Sequence, residues 1–307
     1  MIYTAETENK NAWNSFPQIR LIRKAGNTVP EEAGEKTPIL QFPNLEATGV
    51  IRQAFSTRLG GVSGPATAEF LEMPHLASMN LSFSRGDDPE HVRENFRRIA
   101  EELGAEPERF VFTDQTHTAV VRVVTEEDAG KGLTRPRDYT DTDGLVTNVP
   151  GIVLSVFTAD CVPVAMVDPV HKAIGLVHSG WKGTVGKISA EAIRLMNEKY
   201  GTDPKDLVCA VAPSICQDCY EVSEDVAEHF RNAYPGRETE IMIDKHNGHY
   251  QLDLWAANRI CLEEAGVPES QIAVTGICTA CNADYMFSHR ASHGMRGNMG
   301  AFLMLKE

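Results

Sequence analysis

No apolar run in this 307-residue chain approaches the roughly 18 residues that a membrane-spanning helix needs. The opening segment, MIYTAETENKNAW, has no apolar stretch behind a basic start, so no secretory leader is expected. A basic excess is also missing. The chain has 29 Lys and Arg against 43 Asp and Glu, for a net charge of −14. Recognition of nucleic-acid phosphates wants a basic stripe, so a duplex-binding role is disfavoured. Cysteine does not come as an even set. Seven in a chain without an export signal read as reduced thiols or metal ligands of a cytoplasmic protein, not as a disulfide framework. From Ile39 onward there is neither a low-complexity linker nor an internal repeat. What is present is 42% hydrophobic residues, enough for a core and too many for a disordered chain. Residues 1–37 are polar and aperiodic and read as an N-terminal extension, leaving 38–307 as a single α/β domain.

Helix signals are clear in places. Asp88, Pro89 and Glu90 form an N-terminal cap, and Val92, Phe96, Ile99, Ala100 and Leu103 then share one face before Gly104. Further helices are expected over 185–200, 223–234 and 252–264. Short runs rich in Val and Ile predict strands at 109–113, 120–124, 152–157, 162–167, 173–177, 207–211 and 272–277. These strands cluster as well as alternate with helices. That order points to a layered, mixed-sheet α/β fold instead of a simple doubly wound parallel sheet.

Reactive side chains gather at three strand ends: Asp114-Gln115-Thr116-His117, Thr158-Ala159-Asp160-Cys161 and His178-Ser179-Gly180-Trp181. Rigid strand ends aim side chains into crevices. Two imidazoles and a thiolate suit zinc with one coordination position left open. The same residues also suit a thiol nucleophile, Cys161, activated by histidine. The ligands span 62 positions without a short pair, so spacing and residue type alone favour a buried small thiol and ordinary hydrogen-bonded histidines. Two CxxC pairs, Cys216/Cys219 and Cys278/Cys281, lie 58 residues apart, against the roughly 15–20 of ribbon-like zinc sites. They are therefore read as reduced thiols, with a second metal site or redox pair as the alternative. Cys209 and Cys261 are read as core. Arg58, beside the Gly60–Gly61 turn and flanked by hydroxyl residues, is a candidate anion contact. The segments around Asn80, Arg290 and Arg296 suggest further ligand contacts.

Eight ordered blocks carry more information than any one of them: FSTRLGGVSG, MNLSFSRGDDPE, FTDQTHTAVV, DTDGLVT, TADCVPV, GLVHSGWKGTV, APSICQDCYEV and FSHRASHGMRGNMGAF. Together they closely resemble the YfiH/laccase-domain family, long labelled a multicopper polyphenol oxidase family. They cover about residues 50–305. The resemblance implies a layered α/β domain similar to the catalytic domain of a bacterial toxin deamidase. It also implies one zinc per chain held by His117, Cys161 and His178. The implied chemistry is phosphorolysis of adenosine, inosine, guanosine and methylthioadenosine, with adenosine deamination at the same site. Copper is disfavoured, because a multicopper oxidase needs paired HxH motifs and this chain has ten histidines and no HxH. His289, where many members carry an aromatic residue, and the two CxxC pairs depart from the family pattern.

On that reading the partners are purine nucleosides and phosphate, with no nucleic acid and no membrane, and the oligomeric state is open. Arg58 is the first choice for phosphate, followed by Arg290 and Arg296. Asp160 is the first choice for an acid–base or supporting carboxylate, followed by Asp143, and Asn80 is a substrate-contact candidate. The alternatives are a Cys161–His178 amidohydrolase or deamidase and a non-catalytic zinc-stabilised protein.

Overall fold

The computed structural model describes residues 20–22, 37–64 and 73–307. The expected N-terminal extension therefore lies outside the described residues, apart from 20–22 and 37. In chain order the strands are β1 (Arg20–Ile22), β2 (Ile39–Gln41), β3 (Ile51–Ser56), β4 (Phe110–Phe112), β5 (Val121–Val123), β6 (Gly144–Thr147), β7 (Val153–Thr158) and β8 (Val162–Asp168). They continue with β9 (Ala173–Ser179), β10 (Val208–Val211), β11 (Glu221–Ser223), β12 (Met242–Asp244), β13 (His249–Leu252), β14 (Ile272–Val274) and β15 (Met299–Leu305). The helices are α1 (Pro43–Glu46), α2 (Pro89–Leu103), α3 (Trp181–Val185), α4 (Ile188–Tyr200), α5 (Glu224–Ala233), α6 (Glu238–Ile241) and α7 (Leu254–Glu264).

Among the described residues, one six-stranded sheet has the order β1-β2-β3-β15-β7-β4 and a second has the order β14-β10-β8-β9-β6-β5. A small third sheet, β11-β13-β12, stands apart from them. The pairs β4–β7, β5–β6 and β10–β14 are parallel, whereas β8–β9 and β15–β7 are antiparallel. The sheets are mixed, as the clustered strand signals require.

Side-chain alternation along the central strands builds the layers. On β15, Ala301, Leu303 and Leu305 face a core shared with Leu154 and Val156 of the first sheet and Ala165, Ile174 and Leu176 of the second. Phe302 and Met304 point the other way, under α2, where they meet Phe96, Ile99 and Leu103. On the far side of the second sheet, Val164, Met166 and Val177 pack beneath α4 and α7. The result is four layers: helix, sheet, sheet, helices.

The cap read at Asp88 is present. Its carboxylate accepts from Glu90 N at 2.8 Å, and Gly104, at φ 60°, closes α2 in the left-handed region. Phe96 holds that helix down, tilted on Phe112 at 4.9 Å between ring centres. Its removal would cost about 3–5 kcal/mol. The helix expected over 185–200 is α4, which starts three residues later at Ile188, after the short helix α3 ends at Val185. Lys187 adopts φ 57° after Gly186, which breaks α3 from α4 and redirects the chain. The chain's last strand, β15, sits between β3 and β7 at the centre of the first sheet.

Candidate functional site

Two connections cross from the first sheet to the second at one end of the sandwich. One runs from β4 through residues 113–120 to β5. The other runs from β7 through Ala159, Asp160 and Cys161 to β8. The first crossing carries His117 and the second carries Cys161. His178 lies inside β9, paired with Pro163 just past Cys161, so it belongs to the strand and not to the loop after it. Its side chain is buried, Cys161 is half-buried and His117 is exposed.

The three ligand atoms all lie within 4.8 Å of one another. His117 Nε2 is 3.9 Å from Cys161 Sγ, and the two imidazoles meet edge to face with ring centres 5.0 Å apart. Asp143, fully buried just before β6, organises them. It accepts the His178 Nδ1 proton at 2.7 Å, which leaves Nε2 as the free ring nitrogen. The same carboxylate accepts the backbone N–H groups of Thr116, His117 and Thr118 at 3.0, 3.2 and 2.9 Å. Those bonds hold His117 at φ 65°, a left-handed conformation that a non-glycine residue keeps only when its surroundings impose it. Gly180 closes the pocket. A Cβ there would stand 2.9 Å from His117 Cδ2 and 3.1 Å from Cys161 Sγ, so this position admits no side chain.

The electrostatics follow from this packing. Burial opposes ionisation of the Asp143 carboxyl, but its bonds to His178 and the Thr118 amide prevail and hold it below the usual carboxylate range. Burial raises the Cys161 thiol, and the adjacent His178 and His117 overcome it, bringing the thiol down to about 6. Burial lowers His178, and Cys161 and Asp143 reverse that, raising the imidazole to about 9. Without a metal, each of Cys161 and His178 favours the charged form of the other. The donor set fits a metal of the zinc class. It offers one thiolate and two imidazoles, one of them oriented by a carboxylate, with the exposed side of His117 left toward solvent.

These residues form part of the floor of an open cleft of about 740 Å³. Five arginines line it: Arg85, Arg93, Arg135, Arg137 and Arg296. Three are engaged elsewhere. Arg93 pairs with Glu90, Arg137 with Asp114, and Arg135 donates to the carbonyls of Ala129 and Glu127. Arg296 differs. Its buried Nε has no hydrogen-bond partner among the described residues. Burial and the nearby Arg85 bring its guanidinium down to about 10. Two guanidiniums on the lining of one cleft offer charge-assisted donors to an anion. Arg85 lay unselected in the block MNLSFSRGDDPE. The available signal was a lone arginine between Ser84 and Gly86, shortly before a helix cap.

Other residues singled out from the sequence have different placements. The Arg58 guanidinium donates to the carbonyls of Ala77 and Ala283, both at 2.9 Å, and lies over the Phe287 ring at 4.8 Å. It ties three segments together and does not line the cleft. Asn80 is fully buried, with its amide spent on Ser82 O, Asp87, Ser82 N and Asn298 N. It anchors a loop and is not a substrate contact. The Arg290 guanidinium turns to the carbonyls of Cys219 and Glu221 at 3.2 and 3.0 Å. Asp160 accepts Thr279 Oγ1 at 2.6 Å and Arg290 N at 2.7 Å, so its carboxylate braces loops. Asp143 fills the supporting role that Asp160 was assigned. The CxxC pairs, set apart by their spacing, meet in space, with all four sulfurs within 4.8 Å of one another.

Comparison with known proteins places the chain in a family and fold. Residues 52–306 match the family model described as multi-copper polyphenol oxidoreductase laccase. The chain is 36% identical over 257 residues to purine nucleoside phosphorylase YlmD of Bacillus subtilis (strain 168), covering 82% of this chain and 88% of that one. It is 34% identical over 239 residues to adenosine deaminase RL5 from an unknown prokaryotic organism, covering 78% and 88%. The crystal structure of hypothetical protein YfiH of Bacillus licheniformis superposes with a TM-score of 0.80 at 32% identity, covering 90% of this chain and 98% of that one.

Proposed function

This chain belongs to the family described as multi-copper polyphenol oxidoreductase laccase, and from that premise we propose that it is a zinc-dependent purine nucleoside phosphorylase that also deaminates adenosine at the same site. One observation carries the reading: a single cleft holds the His117, Cys161 and His178 donors on its floor and the Arg85 and Arg296 guanidiniums on its lining. The names of the relatives YlmD and RL5 support it. Residues 38–307 act as one catalytic unit, with its work in the cytoplasm.

His117, Cys161 and His178 would hold the ion, which when bound supplies Lewis acidity and a lower pKa for a water molecule. Zinc suits this donor set better than a copper cluster, because one His₂Cys trio and no HxH motif cannot bind several coppers. Asp143 keeps the His178 ring in one tautomer and clamps the turn that carries His117. Arg296 and Arg85 hold phosphate. In phosphorolysis a phosphate oxygen bonds to the anomeric carbon as the carbon–nitrogen bond breaks, and the purine leaves with that electron pair and takes up a proton. Guanidiniums on the cleft lining would keep the anion in line with the bond that breaks. Phe83, exposed on the cleft and stacked on Phe96 at 6.0 Å, offers a face to the purine. In deamination water adds at C6 of adenine and ammonia leaves.

The test is turnover of inosine and adenosine with and without phosphate. Inosine should yield hypoxanthine and ribose-1-phosphate only when phosphate is present, and adenosine should yield inosine without it. Inosine left intact under both conditions overturns the phosphorylase reading. The depressed Cys161 thiol favours a second reading, a thiol hydrolase. Amide hydrolysis by chelated protein, abolished by alkylation, would establish it instead.

A further inference from the structure

The second sulfur cluster arises from topology. β10 and β14 are parallel neighbours, with Cys209 beside Ile272 and Val211 beside Val274. Parallel strands release their following loops at the same end, so Cys216 and Cys219 emerge next to Cys278 and Cys281. Backbone bonds then stitch the loops together. Ser214 N donates to Ile277 O and Thr279 N to Ser214 O, both at 3.1 Å.

Cys219 Sγ and Cys281 Sγ are 3.5 Å apart, and Cys216 Sγ and Cys281 Sγ are 4.0 Å apart. Four sulfurs each about 2.3 Å from one tetrahedral ion stand roughly 3.8 Å from one another. A disulfide would engage only two sulfurs, at about 2.05 Å. The amides of Cys216 and Cys281 donate to Cys278 Sγ at 3.3 and 3.4 Å. Donors aimed at sulfur favour the thiolate, the form that binds metal. None of the four cysteines lines the cleft.

We propose that Cys216, Cys219, Cys278 and Cys281 bind one tetrahedral zinc ion, separate from the His117/Cys161/His178 centre, that clamps the loops after β10 and β14. Four thiolates fill a tetrahedral shell and leave no position for substrate, so the ion is structural. Zinc is chosen over iron, the other ion suited to four sulfurs, because phosphorolysis and deamination move no electrons. Only that choice of ion rests on the proposed activity.

The clamp reaches the other centre through Asp160. Ile215 N donates to Asp160 O at 3.0 Å, and Thr279 Oγ1 donates to the Asp160 carboxylate at 2.6 Å. Arg290 joins the two regions, with its amide on Asp160 and its guanidinium on Cys219 O. Asp160 holds φ 91° immediately before Cys161. Fixing the two loops therefore fixes the backbone immediately before Cys161.

Metal analysis of the full chain, purified without chelator, tests the proposal. The wild type should carry two equivalents of zinc. Cys161→Ala should keep one, and Cys216→Ser/Cys281→Ser should also keep one, the other one. Cobalt loaded into Cys161→Ala should give the strong visible and thiolate charge-transfer bands of a four-sulfur tetrahedral site, a readout that does not require the double variant to fold. Should the wild type hold one equivalent that vanishes in Cys161→Ala, the proposal is wrong. Iron in place of zinc overturns it, as does an intact mass short by two hydrogens with no second equivalent, which marks a disulfide.

Discussion

The two sulfur-bearing centres are built from similar side chains and are opposite in design. At the His117/Cys161/His178 centre, the ligands come from two sheet crossings and one strand. A buried carboxylate orients one ligand, and an exposed histidine faces a cleft. At the four-cysteine cluster, two adjacent loops contribute everything, backbone amides point at sulfur, and the cleft lies elsewhere. The contrast teaches that ligand count and access, more than ligand type, separate chemistry from scaffolding. Three donors beside a cavity leave a place for a reactant, whereas four donors do not.

The strongest way to break this comparison is Cys161→Ala. It should abolish phosphorolysis and deamination together while the far-ultraviolet circular dichroism stays native, because two imidazoles alone hold zinc poorly. Turnover surviving in this variant would remove the centre from the chemistry.

A smaller effect is expected at Asp143. Asp143→Asn leaves the shape but weakens the acceptor for His178 and for the 116–118 amides. Metal affinity or activity should fall by about 10–100-fold. A chelator titration beside the turnover assay measures both, and an unchanged metal affinity would deny the carboxylate its orienting role.

Next comes Arg296→Ala. The loss of one charge-assisted contact costs roughly 1.5–3 kcal/mol, about one to two decades in phosphate-dependent kcat/KM. Deamination should change far less. Equal losses in both reactions would make Arg296 a nucleoside contact. Arg58→Ala sharpens the point. Its guanidinium braces carbonyls, so the melting temperature should drop with the ratio of the two activities unchanged. A selective loss of phosphorolysis would return Arg58 to the phosphate site.

The subtlest prediction concerns pH. In chelated protein the Cys161 thiol is depressed to about 6. The folded chain therefore binds fewer protons there than the unfolded chain at neutral pH. Alkylation of Cys161, followed by peptide mapping, should stay fast at pH 7 and fall as pH drops through about 6. A midpoint near 8.5, the ordinary thiol value, would show that His178 and His117 give no assistance.

Much of the fold was legible in residue patterns. The capped helix at 89–103 and the Val- and Ile-rich strands announced themselves, because capping and alternation are local chemistry. β15 was not read as a strand. Its central place comes from pairing with β3 and β7, which lie far away in sequence. Among the site residues, the His/Cys/His trio was visible at strand ends. The arginines that line the cleft were not all singled out. Arg58 looked free beside its glycines, but Ala77, Ala283 and Phe287 claim it. Arg85 was passed over although it sits beside Arg296. The 58-residue gap between the CxxC pairs was a poor guide, since parallel β10 and β14 erase it.

The sequence by itself determined which residues carry soft and basic ligands, where the helices are capped and that the sheets are mixed, because these depend on side-chain chemistry and short periodicities. Only the tertiary structure decided which guanidinium faces the cleft, that Asp143 and not Asp160 orients the histidines, and that four distant cysteines converge. Those outcomes depend on hydrogen bonds and strand neighbours between residues tens to hundreds of positions apart. Such partners are chosen by closure of the layers and not by any local run of sequence.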